Sequence, residues 1–230
     1  MIKIFLSPSS QYENLYACGN TNEAVQCRKI AAACETALKR CGFSVKTSLN
    51  DSIYTRAAES NSWGADLHVC IHTNAANGKV SGTRLMATDL AGNGYKACKA
   101  IYNILAPITP GTSENITANP GLYEIKHTKA PCTYIECEFH DVPATAKWIV
   151  ENVKTIGEAI AKGICNFYGV KYVTETVKKP WYETATNYCI KNGIFEGDGN
   201  GNYNWNGQLT RAEAAQVIYN ICTRLGVTFK

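Results

Sequence analysis

Residues 66–73 read Asp-Leu-His-Val-Cys-Ile-His-Thr, an apolar run that the turn-forming residues Asn-Ala-Ala-Asn-Gly follow directly. A short apolar run bounded by turn residues predicts a buried strand. Strands and helices are predicted to alternate on both sides of it. The predicted strands are 2–7, 43–47, 66–73, 82–87, 122–126 and 133–137, and the predicted helices are 24–40, 54–63, 92–105 and 144–168. This alternation predicts an α/β fold with a mostly parallel central sheet flanked by helices. The Pro- and Gly-containing residues 106–121 are predicted to form a long loop of the kind that often flanks a functional site.

Composition excludes several classes of protein. The 230 residues carry 23 basic against 19 acidic side chains, a formal charge of +4 that argues against a nucleic-acid partner. No segment reaches the ~18 apolar residues that cross a membrane, so we expect no membrane insertion. The apolar start is too short for a signal peptide, and we therefore expect synthesis in the cytoplasm without one.

The spacing of the cysteines indicates buried thiols rather than a zinc ribbon. There are 11, and no two of them form a Cys-x-x-Cys pair. Cys27, Cys34 and Cys41 recur at helical spacing, which is typical of small side chains on a core-facing stripe. We expect the cysteines to be reduced and structural.

Polar side chains collect where the predicted strands end. In a parallel sheet those ends share one edge, which here receives residues 7–11, 72–74 and 136–141, with Glu23 at the start of the first predicted helix. A hydrolytic zinc site needs about three protein ligands and a nearby base. His72 is the best placed of the four histidines. His68 lies ~13 Å back along the strand and is interpreted as a packed histidine.

Four stretches carry a resemblance to a known family. Residues 63–67 (Trp-Gly-Ala-Asp-Leu), 70–74 (Cys-Ile-His-Thr-Asn) and 130–136 (Ala-Pro-Cys-Thr-Tyr-Ile-Glu) follow Thr-Asn-Glu at 21–23. Through them, residues 1–170 resemble the Amidase_3 family of zinc amidases. The resemblance implies a peptidoglycan hydrolase that cleaves the amide between N-acetylmuramic acid and L-alanine. It also implies Zn²⁺ as cofactor, Glu23 and His72 as metal ligands, and Glu136 as the catalytic base.

The third metal ligand departs from the family pattern. Where the family carries Asp-Pro-Gly-His-Gly, residues 7–11 read Ser-Pro-Ser-Ser-Gln. Three interpretations remain open: an oxygen ligand from Gln11 or, less favoured, Ser10; His140 as a substitute; or a site that binds zinc poorly.

Each site residue also has a plain structural interpretation. Glu23 is suited to a helix N-terminus, and His72 to a satisfied position at a strand end. Glu136 and Glu138 are two residues apart and are expected to share a strand face, one of them as a solvated edge charge.

The C-terminal residues indicate a second unit. Residues 171–180 are predicted to be a linker and 181–230 a wall-binding domain. Residues 180–225 resemble a single S-layer homology repeat through Trp-Tyr at 181–182, Gly-Ile at 193–194 and a Thr-Arg-Ala-Glu capping box at 210–213. The resemblance implies secondary cell-wall polysaccharide as a partner, with Trp181 and Arg211 as candidate contacts. A lone repeat buries little surface, so homo-oligomerisation through it is a further hypothesis.

The combined interpretation is a phage or prophage endolysin that acts on the bacterial cell wall. Two alternatives are a catalytically impaired, peptidoglycan-binding module of amidase fold, and a surface-attachment protein that uses the C-terminal repeat.

Overall fold

Six strands form one sheet in the order β2-β1-β3-β6-β4-β5. The computed structural model describes residues 1–175 and 180–228, which fall into two compact units, 1–175 and 176–230. The strands are β1 Lys3–Pro8, β2 Ser44–Thr47, β3 Leu67–Asn74, β4 Arg84–Ala87, β5 Asn115–Ala118 and β6 Cys132–Phe139. The helices are α1 Glu23–Arg40, α2 Ile53–Trp63, α3 Asn93–Leu105, α4 Tyr123–His127, α5 Pro143–Glu151, α6 Val153–Tyr168, α7 Glu183–Lys191 and α8 Arg211–Leu225.

The sheet is mostly parallel, as predicted. Strands β2, β1, β3 and β6 run parallel, and β6 pairs antiparallel with β4. Strand β3 lies in the middle, where seven of its eight residues are buried. Burial on both faces explains why its sequence is a nearly continuous apolar run.

Helix α1 covers one face of the sheet and begins beside the strand ends. The Asn22 side chain accepts a hydrogen bond from the backbone N–H of Val25 at 3.0 Å, which fixes Glu23 as the first helical residue. Cys27 and Cys34 are fully buried in the core, as their spacing predicted, whereas Cys41 is half-buried at the end of the helix. Helix α6 packs closely on α1 because Gly157 has no side chain: a Cβ there would lie 2.6 Å from the carbonyl oxygen of Ile30.

Three predicted elements are corrected. Residues 122–126 do not form a strand but lie largely in helix α4, which starts after the turn at Pro120 and Gly121. A segment of five residues is too short for periodicity to distinguish a strand from a helix. The predicted loop 106–121 contains a 3₁₀ turn, Ala106–Ile108, and the edge strand β5. The predicted helix 144–168 is broken at Asn152, whose side-chain amide donates to the Trp148 carbonyl at 2.9 Å.

The second unit holds helices α7 and α8. The predicted capping box is present: the Glu213 backbone N–H donates to Thr210 Oγ1 at 3.2 Å, and the Thr210 N–H donates to Glu213 Oε2 at 2.8 Å. Neither helix buries a residue. Residues 176–179 of the predicted linker, and 229–230 of the predicted wall-binding domain, lie outside the described part of the chain. Within 1–175 and 180–228, no helix has the length and apolar character needed to cross a membrane.

Candidate active site

A carboxylate and an imidazole meet at the ends of the central strands. Glu23 Oε1 lies 2.8 Å from His72 Nδ1, and the two residues are 1% and 5% exposed. Glu23 arrives from the first turn of α1, and His72 from β3. Helix capping by Asn22 and the burial of β3 therefore fix the two side chains relative to each other.

The Glu23 carboxylate is held in its ionised form. Burial raises its pKa, but hydrogen bonds from His72, Asn14 and Ser9 and the charge of His72 outweigh burial, so the net shift is downward. Asn14 Nδ2 donates to Glu23 Oε2 at 2.6 Å. Asn14 lies in the polar loop after β1, and no pattern in the sequence singled it out.

Gln11 also points at the imidazole. Its Nε2 lies 3.3 Å from His72 Nδ1, and its Oε1 accepts from Asn14 Nδ2 at 2.9 Å. One ring nitrogen cannot donate to Glu23 and accept from Gln11 at the same time. A cation bound by the Glu23 carboxylate, the His72 imidazole and the Gln11 amide oxygen would remove this conflict. The Gln11 amide would first have to rotate so that its oxygen faces His72, and its hydrogen bond with Asn14 would then be lost.

The distances suit such a cation. Two ligand atoms bound tetrahedrally to zinc at ~2.0–2.1 Å lie about 3.3 Å apart. The 3.3 Å between Gln11 and His72 matches this separation, and the 2.8 Å between Glu23 and His72 needs a small adjustment. A carboxylate, an imidazole and an amide oxygen can thus hold zinc, and the amide is the weakest of the three ligands.

The other two candidates for the third ligand are engaged elsewhere. Ser10 Oγ donates to the Asp51 carbonyl at 2.9 Å. His140 Nδ1 lies 2.9 Å from Thr73 Oγ1, and its ring stacks on Tyr16.

Glu136 faces the same edge. It is the direct cross-strand partner of His72 in the β3–β6 register, and its Oε2 is buried with no hydrogen-bond partner among the residues described. Burial and the neighbouring charge of Glu23 raise its pKa well above the usual value. His72 Nε2 is likewise buried and unpartnered, and Tyr134 stacks on the His72 ring at 4.4 Å. Tyr134, which sequence reasoning missed, lies two residues before Glu136 on β6.

Glu138 is not a solvated edge charge, which corrects the expectation. It is 0% exposed, and its carboxylate accepts backbone N–H bonds from Gly82 at 2.5 Å, Phe139 at 2.9 Å and Gly111 at 3.1 Å. The register shifts between His72 and Asn74, since Asn74 pairs with Phe139. This extra residue in β6 breaks the alternation that predicted a shared face for Glu136 and Glu138.

His68 is a packed histidine, as interpreted from sequence. It is fully buried and stacks on Phe5 at 5.1 Å, and its Nε2 lies 3.1 Å from Glu124 Oε1.

The second unit exposes aromatic side chains. Trp181 is 93% exposed and contacts the ring of Tyr182. A second, half-buried cluster joins Tyr203 and Trp205, whose rings stack at 5.2 Å, with Phe195 against Trp205 at 5.1 Å. Arg211 is exposed at the start of α8.

Comparisons with known proteins follow the two units. The family model described as N-acetylmuramoyl-L-alanine amidase (Amidase_3) matches residues 6–166, and the S-layer homology domain model matches residues 175–215. No curated protein sequence matches the chain significantly.

Solved structures share the fold of the first unit. The catalytic domain of CwlV, an N-acetylmuramoyl-L-alanine amidase from Bacillus (Paenibacillus) polymyxa var. colistinus, is 16% identical with a TM-score of 0.67, over 74% of this chain and 100% of that one. An N-acetylmuramoyl-L-alanine amidase from Clostridium difficile 630 is 21% identical with a TM-score of 0.66, over 74% and 98%. The catalytic domain of the CD27L endolysin targeting Clostridia difficile is 18% identical with a TM-score of 0.59, over 76% and 100%.

Proposed function

Since the chain belongs to the N-acetylmuramoyl-L-alanine amidase family Amidase_3, we propose that Glu23, His72 and Gln11 hold a zinc ion for its peptidoglycan hydrolysis. Glu136 is the proposed base. The observation that carries this proposal is the convergence of Glu23, His72 and Glu136 at one sheet edge, with Glu136 Oε2 buried and unpartnered in the described chain. Gln11 is preferred to Ser10 and His140 because it alone points at His72 Nδ1.

In the proposed mechanism, zinc and the protein side chains have different roles. When bound, zinc supplies Lewis acidity toward the scissile carbonyl and the attacking water. Glu136 accepts the proton of that water and passes it to the nitrogen of the departing L-alanine amine. Its Oε2 has no hydrogen-bond partner among the residues described and is therefore free to accept this proton. Asn14 holds Glu23, and Tyr134 holds the His72 ring, so both ligands are oriented before substrate arrives.

The reaction leaves a specific chemical signature. Purified peptidoglycan incubated with the full chain should gain free L-alanine amino groups and no new reducing sugar ends. A chelator should abolish the release, and added zinc should restore it. Appearance of reducing ends without amino groups would contradict the amidase reaction. Wall binding without any release, at saturating zinc, would favour the impaired binding module.

The second unit is proposed to bind secondary cell-wall polysaccharide. The S-layer homology match and the exposure of Trp181 and Arg211 support this role. In α8, Ile218, Tyr219 and Leu225 are 59%, 65% and 71% exposed, which supports homo-oligomerisation through this unit. Light scattering of the purified chain tests the assembly, and a monomer at micromolar concentration would contradict it.

An origin as a phage or prophage endolysin is the biological role we propose. Expression together with a holin should lyse the host, while expression of the chain alone should not. Equal lysis without the holin would contradict an endolysin that depends on one.

A further inference from the structure

Three potential metal ligands cluster on β3 and β6 apart from Glu23 and His72. His68 and Cys70 lie two residues apart on β3, and Cys132 is the cross-strand partner of His68 on β6. Their ligand atoms all lie within 4.8 Å of one another. His68 and Cys70 are 0% exposed and Cys132 is 2% exposed.

The spacing of the two sulfur atoms suits a shared ion. Cys70 Sγ and Cys132 Sγ are 3.9 Å apart. Two thiolates bound tetrahedrally to one zinc at ~2.3 Å lie about 3.8 Å apart. A disulfide needs about 2.05 Å, so forming one would require the strands or side chains to move by nearly 2 Å.

The histidine presents a free nitrogen. His68 Nε2 lies 3.1 Å from Glu124 Oε1, while Nδ1 is buried with no hydrogen-bond partner in the described residues. An Nε2–H that donates to Glu124 leaves a lone pair on Nδ1. A carboxylate that fixes the far ring nitrogen is the usual support for a metal-binding histidine. Glu124 is itself fixed by Ser7 Oγ, which donates to it at 2.5 Å.

Charge and surroundings select the class of ion. Two thiolates and one divalent cation are neutral together, which lowers the cost of burying either. Ile125 lies in the same apolar cluster as Cys70 and Cys132, with Leu122 and Met86 packed against it. Sulfur and imidazole ligands favour zinc and exclude magnesium and calcium. We propose that His68, Cys70 and Cys132 bind a thiophilic divalent cation, zinc being the natural one, at a second metal site.

This second site has a role distinct from hydrolysis. It ties β3 to β6 and, through His68 and Glu124, ties both strands to α4. His72 follows on the same strand, ~13 Å from His68 at the rise of a β-strand. The ion would therefore stabilise the sheet beneath the active site without touching substrate.

Cobalt distinguishes the two sites because sulfur ligands give a charge-transfer absorption in the near ultraviolet. The full chain is purified from cells grown with cobalt, so that the buried site is loaded during folding. We expect the absorption in the wild type. We also expect it in Glu23→Ala, because Glu23 belongs to the catalytic zinc site, which has no sulfur ligand. We expect its loss in Cys70→Ala and Cys132→Ala, together with loss of one cobalt per chain, and its retention in the control Cys34→Ala.

Several results would overturn the proposal. The first is a cobalt-loaded wild type without the charge-transfer absorption, which decides the question even where Cys70→Ala does not fold. The second is equal absorption in all variants. A count of free thiols in the denatured wild type that is two short would show a Cys70–Cys132 disulfide instead of a metal site.

Discussion

The Oε1 atom of Glu23 lies 2.8 Å from Nδ1 of His72, although 49 positions separate the residues in the chain. The contact joins a helix N-terminus to a central strand, so it forms only when α1 has docked on the sheet. The site is thus assembled by the packing of two elements, and each of its members can be tested by a substitution that leaves that packing intact.

Gln11→His should strengthen zinc binding. An imidazole is a better zinc ligand than a carboxamide, and position 11 already faces His72 Nδ1. We expect the zinc dissociation constant to fall by about 10-fold or more. Competition with a chromophoric chelator measures it.

The matched control for that variant is Glu13→His, which adds an imidazole at an exposed residue of the same loop. Equal zinc affinity in Gln11→His and the wild type would place the third ligand elsewhere. Weaker affinity would show that Gln11 already contributes an optimal contact.

Glu136→Gln should abolish amidase activity while keeping the fold. The amide cannot accept the proton of the attacking water, and general base catalysis contributes roughly 10²–10⁴-fold. The release of L-alanine amino groups measures the loss, and circular dichroism checks the fold. The exposed Glu151→Gln serves as control, and retention of more than half of the activity in Glu136→Gln would rule out the assigned role.

Glu138→Gln should destabilise the first unit. The carboxylate accepts three backbone N–H bonds, and an amide would turn its own NH₂ toward at least one of these donors. We expect a loss of about 1–3 kcal/mol in the free energy of unfolding, measured by urea denaturation. A variant as stable as Glu151→Gln would mean that the backbone donors find water instead.

Removal of residues 180–230 should reduce retention on cell walls without abolishing hydrolysis of soluble muropeptides. Every catalytic residue proposed here lies in the first unit. Co-sedimentation with purified walls measures retention, and Trp181→Ala should weaken it in the full chain, with Tyr188→Ala, 64% exposed, as an aromatic control. Unchanged sedimentation of the truncated chain would show that the first unit alone binds the wall.

The α/β class and the meeting of Glu23, His72 and Glu136 at one edge could be anticipated from sequence. Parallel strands bring their carboxyl ends together, and the helix cap at Asn22 is visible as a local pattern. Helix α4 could not be anticipated, because a segment of five residues is too short to show a period that separates helix from strand.

The surroundings of the ligands depend on distant parts of the chain. Asn14 reaches Glu23 from an irregular loop, and Tyr134 reaches His72 from the neighbouring strand. Such contacts follow from register and loop path, which one sequence does not encode as a local pattern. The preference for Gln11 over His140 has the same origin, since Tyr16 and Thr73 contact the His140 ring.

Glu136 and Glu138 have different roles because β6 carries one extra residue, and not because their side chains differ. Glu136 pairs with His72 before the irregularity, and Glu138 lies within it. Point substitutions at either position can therefore change one role and leave the other. A single-residue deletion between them would instead shift the following residues to the opposite face. Insertions and deletions in this strand should therefore be strongly selected against.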